Sequence, residues 1–572
     1  MTPLENSLYV ASVAPVLAIV VSTVLRPAVS ARWNAILLAL SGIGGVVAGA
    51  YGAVAETPFT MAVPMFYGMT IALDRFSAIF FLGISLAIAV AGLCALSQIG
   101  KHHDAGNVRM LGILGGLLVV SLQWTLLAGN IIGFVTAWAT MMLAAFLLQR
   151  IVRNTAETTG LQFLAIAQVS TIAIASGLFV LSSGALFSDF GTLAYVAGQL
   201  SVTNLIVAYG LLFLGFAAAM GAFPFHRGFI SAVTHVPAHI AVLFRGGLSG
   251  VALYGFIRCI LFILPPLSIW YSLPVAVIGA LTMLCGAFCA LNEKSVQRIV
   301  AYLSVSSIGL TALMVAGAMA FQALAIYDAM NVMLFAAFIQ LTINVIATSG
   351  LFLVADVIGS DLHTSGGLAK TLPKFTITTF VLLFGTVGFP PSAAFTSIWM
   401  AGSTFQAMFS SAPVAAIALL VVGILSIFLM IAAILRVIIG VFFGESRGGV
   451  DARVSEPSDA QLAPIVLLAL LTFVSGFALP QLLVSIGADP LTDSAGTFNG
   501  GIVTAFGTLR MGTIGLLVLG IGGVKWYFRD SILERLPSFE TIEKWRLSCM
   551  NRMSFGSKFT KLWNGALEKL RR

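Results

Sequence analysis

Residues 375–407 read FTITTFVLLFGTVGFPPSAAFTSIWMAGSTFQA, a largely apolar stretch with two prolines near its middle. It is too long for one straight membrane span, which needs about 20 residues. The Pro390-Pro391 pair near its middle must break or kink a helix. A helix break at membrane depth is tolerated only where the backbone is buried in protein or lines a water-filled cavity. The stretch therefore predicts a broken transmembrane helix within a larger helical bundle.

The composition extends this prediction to the whole chain. Of 572 residues, 59% are hydrophobic and only 9% are charged, whereas soluble domains carry about 25% charged residues. This excludes a soluble protein, a disordered chain, a collagen-like chain and a disulfide scaffold. Apolar runs of spanning length occur about fifteen times, so the sequence predicts an all-α polytopic membrane protein. Pro224 and Pro237 mark two further places where a helix must restart.

No feature of the sequence points to a cofactor, a metal ion or nucleic acid. The five cysteines form no Cys-x-x-Cys pair, and neither a Walker loop nor a Gly-rich dinucleotide motif follows a strand-like run. We expect no catalysis by this chain alone, and any redox cofactor to lie on another subunit. The cysteines are Cys94, Cys259, Cys285, Cys289 and Cys549.

The loop charges predict an orientation. Lys and Arg concentrate in alternate connections between the apolar runs, which the positive-inside rule assigns to the cytoplasm. This places the N-terminus outside and the C-terminal tail in the cytoplasm of a prokaryotic inner membrane. Residues 529–572 hold ten Lys/Arg and five Asp/Glu, with apolar residues at helical spacing. They predict a basic amphipathic helix along the membrane or a partner subunit, with a solvated terminal helix as the alternative.

Two polar-containing motifs in the middle of the chain carry a family resemblance. The first runs from Phe223-Pro224-Phe225-His226-Arg227 through His235 and Pro237-Ala238-His239 to Leu253-Tyr254-Gly255-Phe256-Ile257-Arg258. The second is NEKSVQRIVAYLSVSSIG at residues 292–309. Together with weaker motifs, these two motifs cover about residues 74–445. In these motifs the chain resembles the proton-conducting membrane transporter family. Its members are antiporter-like subunits of respiratory complex I, Mrp antiporters and membrane-bound hydrogenase or formate hydrogenlyase complexes.

The resemblance implies 14–15 transmembrane helices with two inverted five-helix repeats, each containing a broken helix. It divides the chain into N-terminal spans (1–73), an antiporter-like core (74–445), C-terminal spans (446–528) and the tail helix (529–572). It also implies a file of Lys, Glu and His across the membrane. In this chain the matching positions are all neutral: Ala139, Ala219, Gly250, Asn344, and Ser397 or Ile398.

Proton transfer needs groups that bind and release protons, and Ala, Gly, Ile and Asn do not titrate at working pH. The substitutions predict a subunit of a redox-driven complex that translocates ions weakly, or one that is non-conducting and serves a structural or coupling role. Two alternatives stay open. The chain can instead be a membrane subunit of an inorganic-carbon or ion uptake complex, with an uptake module as its partner. Protons can also follow a different path through hydroxyl groups such as those of Thr136, Thr140, Ser249 and Thr342.

A few ionisable residues remain as candidates for a pathway or a structural role. Arg245 lies deep in an apolar run, where an arginine must face a cavity, a partner charge or backbone carbonyls; it can alternatively snorkel to the cytoplasmic interface or pair with a neighbouring subunit. The other candidates lie near the predicted cytoplasmic edge and are His226, His235, His239, Glu293 and Lys294.

Overall fold

A computed structural model describes most of the chain between residues 2 and 485. The gaps in this description are 56, 63–68, 99–104, 153–156, 186, 235, 266–267, 360–366, 408–412 and 444–456. The predicted span at 511–528, the amphipathic tail at 529–572 and the candidate residue His235 lie outside the described residues.

The first part of the chain contains six long helices and one small hairpin. The helices are α1 (Pro3–Val24), α2 (Pro27–Val54), α3 (Arg75–Ser97), α4 (Ala105–Leu127), α5 (Ile131–Val152) and α6 (Glu157–Leu181). Between α2 and α3, strands β1 (Phe59–Ala62) and β2 (Thr70–Leu73) pair antiparallel, with Phe59 opposite Leu73. Each strand has four residues, which is too short for an alternating pattern to be recognised in the sequence.

The middle of the chain contains the first broken helix and two π-helical segments. Its elements are α7 (Phe190–Ala197), α8 (Val202–Met220), α9 (His226–Thr234), α10 (Ala238–Val242), the π segment Leu243–Leu248, α11 (Ser249–Phe256), the π segment Ile257–Ile263, a 3-10 turn (Ile269–Tyr271), α12 (Ser272–Asn292), α13 (Val296–Ala323) and α14 (Tyr327–Ile358).

The last described part contains the second broken helix. Its elements are α15 (Leu368–Thr371), α16 (Pro373–Val387), α17 (Ala393–Ala407), α18 (Pro413–Val437), the π segment Ile438–Phe443 and α19 (Asp459–Ser485).

Twelve helices of the described part are long and apolar enough to cross a membrane, which confirms the all-α polytopic class. They differ in how much of their surface the protein covers. The apolar window is 89% buried in Tyr327–Ile358 and in Ala238–Ile263, but 39% buried in helices such as Pro3–Val24 and Leu419–Phe443. The first two therefore form the centre of the bundle, and the others present apolar side chains outward, where lipid is their natural solvent.

Both predicted breaks occur. Helix α16 ends at Gly388, whose φ of 79° is a left-handed conformation that glycine adopts at low cost, and α17 begins after Pro390-Pro391. Helix α8 ends in the same way at Gly221, with φ 71°, and α9 restarts at His226 after Pro224. The chain restarts again at Ala238 after Pro237. The prolines mark these positions because a proline cannot continue the hydrogen-bond ladder of a helix.

Candidate functional site

The first helix break lies near Ala219, one of the neutral residues at the positions of the implied proton file, and Ala219 borders a small apolar cavity. Ala219 lies in the last turn of α8 and is half-buried. It lines a cavity of about 10 Å³ together with Met142, Phe163 and Phe229. A cavity of that size holds about one water molecule, and only if polar groups line it. The lining at Ala219 is apolar, so no chain of water molecules is supported there.

Of the two neighbouring positions of the implied proton file, Gly250 is closed by packing. Gly250 is buried in α11, and a β-carbon there would lie 3.1 Å from Cγ1 of Ile84. Ala139 is half-buried in α5. The adjacent Trp138 is fully buried, with its ring centroid 5.7 Å from that of Phe134. Apolar side chains thus occupy the space around Gly250, and a buried tryptophan precedes Ala139 in the sequence; the resemblance implies ionisable groups at both positions.

Arg245 carries the positive charge at the centre of the bundle. It lies in the π segment Leu243–Leu248 and is 2% exposed. Its Nη2 donates to Oδ1 of Asn344 at 2.7 Å and to the carbonyl of Ser304 at 3.3 Å. This burial shows that the snorkelling interpretation is wrong and that the side chain is not available to a neighbouring subunit. The turn of π-helix, a feature frequent at functional sites, places the guanidinium against α14.

Polar side chains continue from this pair toward the second broken helix. Gln340, one turn before Asn344 on α14, donates from Nε2 to Oγ of Ser307 on α13 at 3.1 Å. Its Oε1 accepts a hydrogen bond from Ser397 of α17. Ser397 is fully buried and Ile398 is half-buried. Two hydrogen-bonded groups thus lie along α13 and α14, one around Arg245 and one around Gln340. We call their residues the polar track: Arg245, Asn344, Ser304, Ser307, Gln340 and Ser397.

The hydroxyls that the sequence offered as a re-routed path mostly bond within their own helices. Thr136 donates to the carbonyl of Ile132 at 2.7 Å, and Thr140 donates to that of Thr136 at 2.8 Å. Thr342 donates to the carbonyl of Phe338 at 3.0 Å. Such bonds are typical of Ser and Thr inside helices. They use the donor of each of these three hydroxyls, so none of them extends the polar track.

A second polar cluster lies at the predicted cytoplasmic ends of three helices. His239 at the start of α10 has Nδ1 2.7 Å from Oε1 of Gln98, which follows α3. Nε2 of Gln98 donates to Oδ2 of Asp356 near the end of α14 at 3.2 Å. Reasoning from the sequence singled out His239 but missed Gln98 as its partner, because the two are 141 residues apart. The cluster ties α3, α10 and α14 together.

His226 begins α9 and lies against the thiol of Cys285 on α12. Its Nε2 is 3.7 Å from Sγ of Cys285, and the two thiols of Cys285 and Cys289 are 4.0 Å apart. The imidazole is 7% exposed and stacks on Phe223, with ring centroids 5.8 Å apart. In the described part of the chain, no group of three His, Cys, Asp or Glu side chains is arranged to hold a metal ion. The contacts fix the restart of the first broken helix against α12.

The remaining sequence candidates lie in the turn between α12 and α13. Glu293 pairs with Arg298, with Oε1 2.6 Å from Nη1, while Lys294 is exposed. Arg436 of α18 donates from Nη1 to the carbonyls of Leu291 (at 2.7 Å) and of Glu293. This turn is therefore a contact between α12, α13 and α18.

The opposite end of the bundle contains a half-buried ion pair that the sequence did not single out. Nη1 of Arg258 lies 2.8 Å from Oδ2 of Asp74, the residue that caps α3. The same Nη1 donates to Oγ of Ser77 at 2.9 Å, and the guanidinium lies 5.1 Å from the ring centroid of Phe190. Burial alone would raise the pKa of Asp74, but Arg258 and the hydrogen bonds from Ser77 hold it below the usual value.

The four described cysteines should differ in reactivity. Cys94 and Cys259 are fully buried, whereas Cys285 and Cys289 are half-buried. In a Cys549→Ser background, we expect a membrane-permeable maleimide to modify Cys285 or Cys289 at least about tenfold faster than Cys94 or Cys259. Mass spectrometry of the labelled native protein would measure this ratio, and denatured protein is the control. Equal rates in the native state would contradict the described packing of α3 and α12.

Comparison with known proteins connects this geometry to a family. The model of the family described as NADH:quinone oxidoreductase/Mrp antiporter, TM, matches residues 128–429. Hydrogenase-4 component B of Escherichia coli K12 is 28% identical over 371 residues, covering 63% of this chain and 54% of the relative. Formate hydrogenlyase subunit 3 of the same organism is 26% identical over 478 residues, covering 78% and 74%. The chain thus spans about half the length of the first relative.

A solved structure shares the fold. A chain of the membrane-bound sulfane sulfur reductase, an archaeal respiratory membrane complex, superposes with a TM-score of 0.71 at 20% identity, covering 93% of this chain and 86% of that one. The family match covers more than half of the chain and includes the first broken helix, the π segment with Arg245 and the second broken helix. The chain is therefore a member of the NADH:quinone oxidoreductase/Mrp antiporter transmembrane family.

Proposed function

We propose that this protein is the antiporter-like membrane subunit of a redox-driven, multi-subunit complex of the complex I or hydrogenase type. Its partners would be other membrane subunits, the lipid bilayer and a peripheral module that carries the redox cofactors. Support comes from the named relatives, components of hydrogenase-4 and formate hydrogenlyase, and from a respiratory complex with the same fold. The relatives favour this assembly over the alternative of an uptake complex.

Within such a complex we assign this subunit a non-conducting structural or coupling role. One observation carries the proposal: the positions implied for the proton file are neutral, Ala219 borders only a small apolar cavity, and Gly250 packs against Ile84. A proton cannot pass along groups that do not titrate unless water bridges them, and an apolar cavity of about 10 Å³ does not hold a water chain. The polar track contains one permanently charged arginine and otherwise neutral groups.

We also propose that the protein lies in a prokaryotic inner membrane with its N-terminus outside and its tail in the cytoplasm. The proposal rests on the loop charges. With this orientation the His239–Gln98–Asp356 cluster faces the cytoplasm and the Arg258–Asp74 pair faces outward. Reporter fusions after α1 and after α2 test it: a periplasmic reporter should be active only when fused after α2, and the reverse pattern would contradict the orientation.

Affinity purification from native membranes tests the assembly. The tagged full chain should co-purify with hydrogenase-like or quinone-reducing subunits, and mass spectrometry would identify them. Recovery of the chain with a peripheral zinc-containing protein and without a redox subunit would instead support the uptake complex and contradict the proposal. Recovery of the chain alone under conditions that keep a related complex intact would contradict both.

A further inference from the structure

The environment of Arg245 has donors without matching acceptors. The guanidinium carries only N–H donors and stays charged, and only its Nη2 has described partners. Its Nε and Nη1 have no hydrogen-bond partner among the described residues, although both are buried. No carboxylate of the described part lies within ion-pairing distance of Arg245; the described pairs are Arg258–Asp74 and Arg298–Glu293.

Asn344 adds further donors at the same place. Because arginine only donates, the amide must turn its oxygen toward the guanidinium, as it does at 2.7 Å. This leaves Nδ2 beside the pair, buried and also without a described partner. Asn344 is 1% exposed. Two adjacent side chains, both more than nine-tenths buried, thus combine a positive charge with several free N–H groups.

A buried charge without a counter-charge is costly, because desolvation of an ion is not offset by a neutral amide alone. A water molecule would satisfy some donors but would leave the charge uncompensated. A small anion satisfies both requirements, since it accepts several N–H bonds and neutralises the guanidinium. A monatomic ion is the smallest anion that meets both requirements.

We propose that Arg245 and Asn344 bind a halide-sized inorganic anion, with chloride as the physiological candidate. The anion would be held by Nε or Nη1 of Arg245 and by Nδ2 of Asn344, and it would make the centre of the bundle electrically neutral. This inference does not depend on whether the subunit conducts protons or on which complex contains it.

The test measures thermal stability against halide concentration. Purified full-length protein is exchanged into gluconate buffer, and chloride or bromide then replaces gluconate at constant ionic strength. A bound anion stabilises the folded state by mass action, so the melting temperature should rise saturably, by about 2 °C when the halide exceeds its Kd about 100-fold. No dependence on halide at constant ionic strength would overturn the proposal.

Replacing the amide of Asn344 by a carboxylate tests the anion site specifically. In Asn344→Asp the side chain keeps its shape and supplies a carboxylate that pairs with Arg245. The dependence of the melting temperature on halide should therefore disappear. In gluconate, the melting temperature of this variant should be at least that of the unchanged protein in chloride. The control Asn204→Asp makes the same chemical change at an exposed position of α8 and should keep the full dependence. An equal halide effect in Asn344→Asp would show a general salt effect and overturn the proposal.

A direct measurement covers the case in which the variant fails to fold. Crystals of the unchanged protein grown in bromide should show anomalous density beside Arg245 and Asn344. Density for water only, with no bromide signal at saturating concentration, would contradict the site even if the melting temperature depended on halide.

Discussion

The Gly250→Lys variant should lose at least about 4 kcal/mol of stability. The β-carbon alone would press on Ile84 at 3.1 Å, and overpacking of a core costs about 1–3 kcal/mol. The ammonium group would then lie in an apolar region, five residues after the fixed charge of Arg245, and a cation in a membrane helix adds about 3 kcal/mol. Unfolding of the purified variant in SDS, compared with the unchanged protein, measures the loss.

Gly191→Lys is the matched control. Gly191 is exposed in the short helix α7, and a β-carbon there meets no atom within 4 Å. We expect that variant to stay within about 0.5 kcal/mol of the unchanged protein. If Gly250→Lys were equally stable, the region around Gly250 would have to be hydrated or adaptable, and the conclusion that packing closes this file position would be wrong.

The Asp74→Ala variant should destabilise the outer end of the bundle by about 2 kcal/mol. Breaking a buried ion pair leaves its partner uncompensated and costs about 3–5 kcal/mol, but the side chain of Asp74 is 37% exposed, so we discount this value for solvent screening. The double variant Asp74→Ala/Arg258→Met should recover more than half of the loss, because it removes the stranded charge as well. Chemical denaturation of the three proteins measures these differences.

The same pair predicts a dependence on pH. The folded-state pKa of Asp74 lies below its usual value, so the stability that the pair contributes is fully present above about pH 4. It is lost as the pH falls through the folded-state pKa. The stability difference between the unchanged protein and Asp74→Ala should therefore be constant from pH 5 to pH 7 and shrink below about pH 4. A difference that grew with acid would contradict the pairing of Asp74 with Arg258.

Short sequence patterns predicted the architecture, because each of them reflects a physical constraint that acts within a few neighbouring residues. Proline cannot continue a helix, so Pro224, Pro237 and Pro391 located all three restarts. The lengths of the apolar runs predicted the membrane spans, because the thickness of the bilayer sets the length of a spanning helix. The β-hairpin before α3 was missed, since two strands of four residues give too little alternation to recognise.

The site was less predictable because its contacts join distant parts of the chain. Arg245 was recognisable as an intramembrane charge, but its partners Asn344 and Ser304 lie 99 and 59 residues away. The same is true of Gln98, which links His239 to Asp356, and of Asp74, which pairs with Arg258. The sequence gives each side chain its chemistry, whereas tertiary packing decides which of them meet.

Proton flux through the purified chain is the decisive measurement of whether this subunit conducts. The protein is reconstituted into liposomes, a pH gradient is imposed, and a pH-sensitive dye follows the internal pH. We predict a rate equal to that of protein-free liposomes, whereas a family member that retains lysine at the positions of Ala219 and Gly250 conducts in the same assay. A rate comparable to that relative, and abolished by Arg245→Gln, would contradict the proposal and show that protons cross through the polar track.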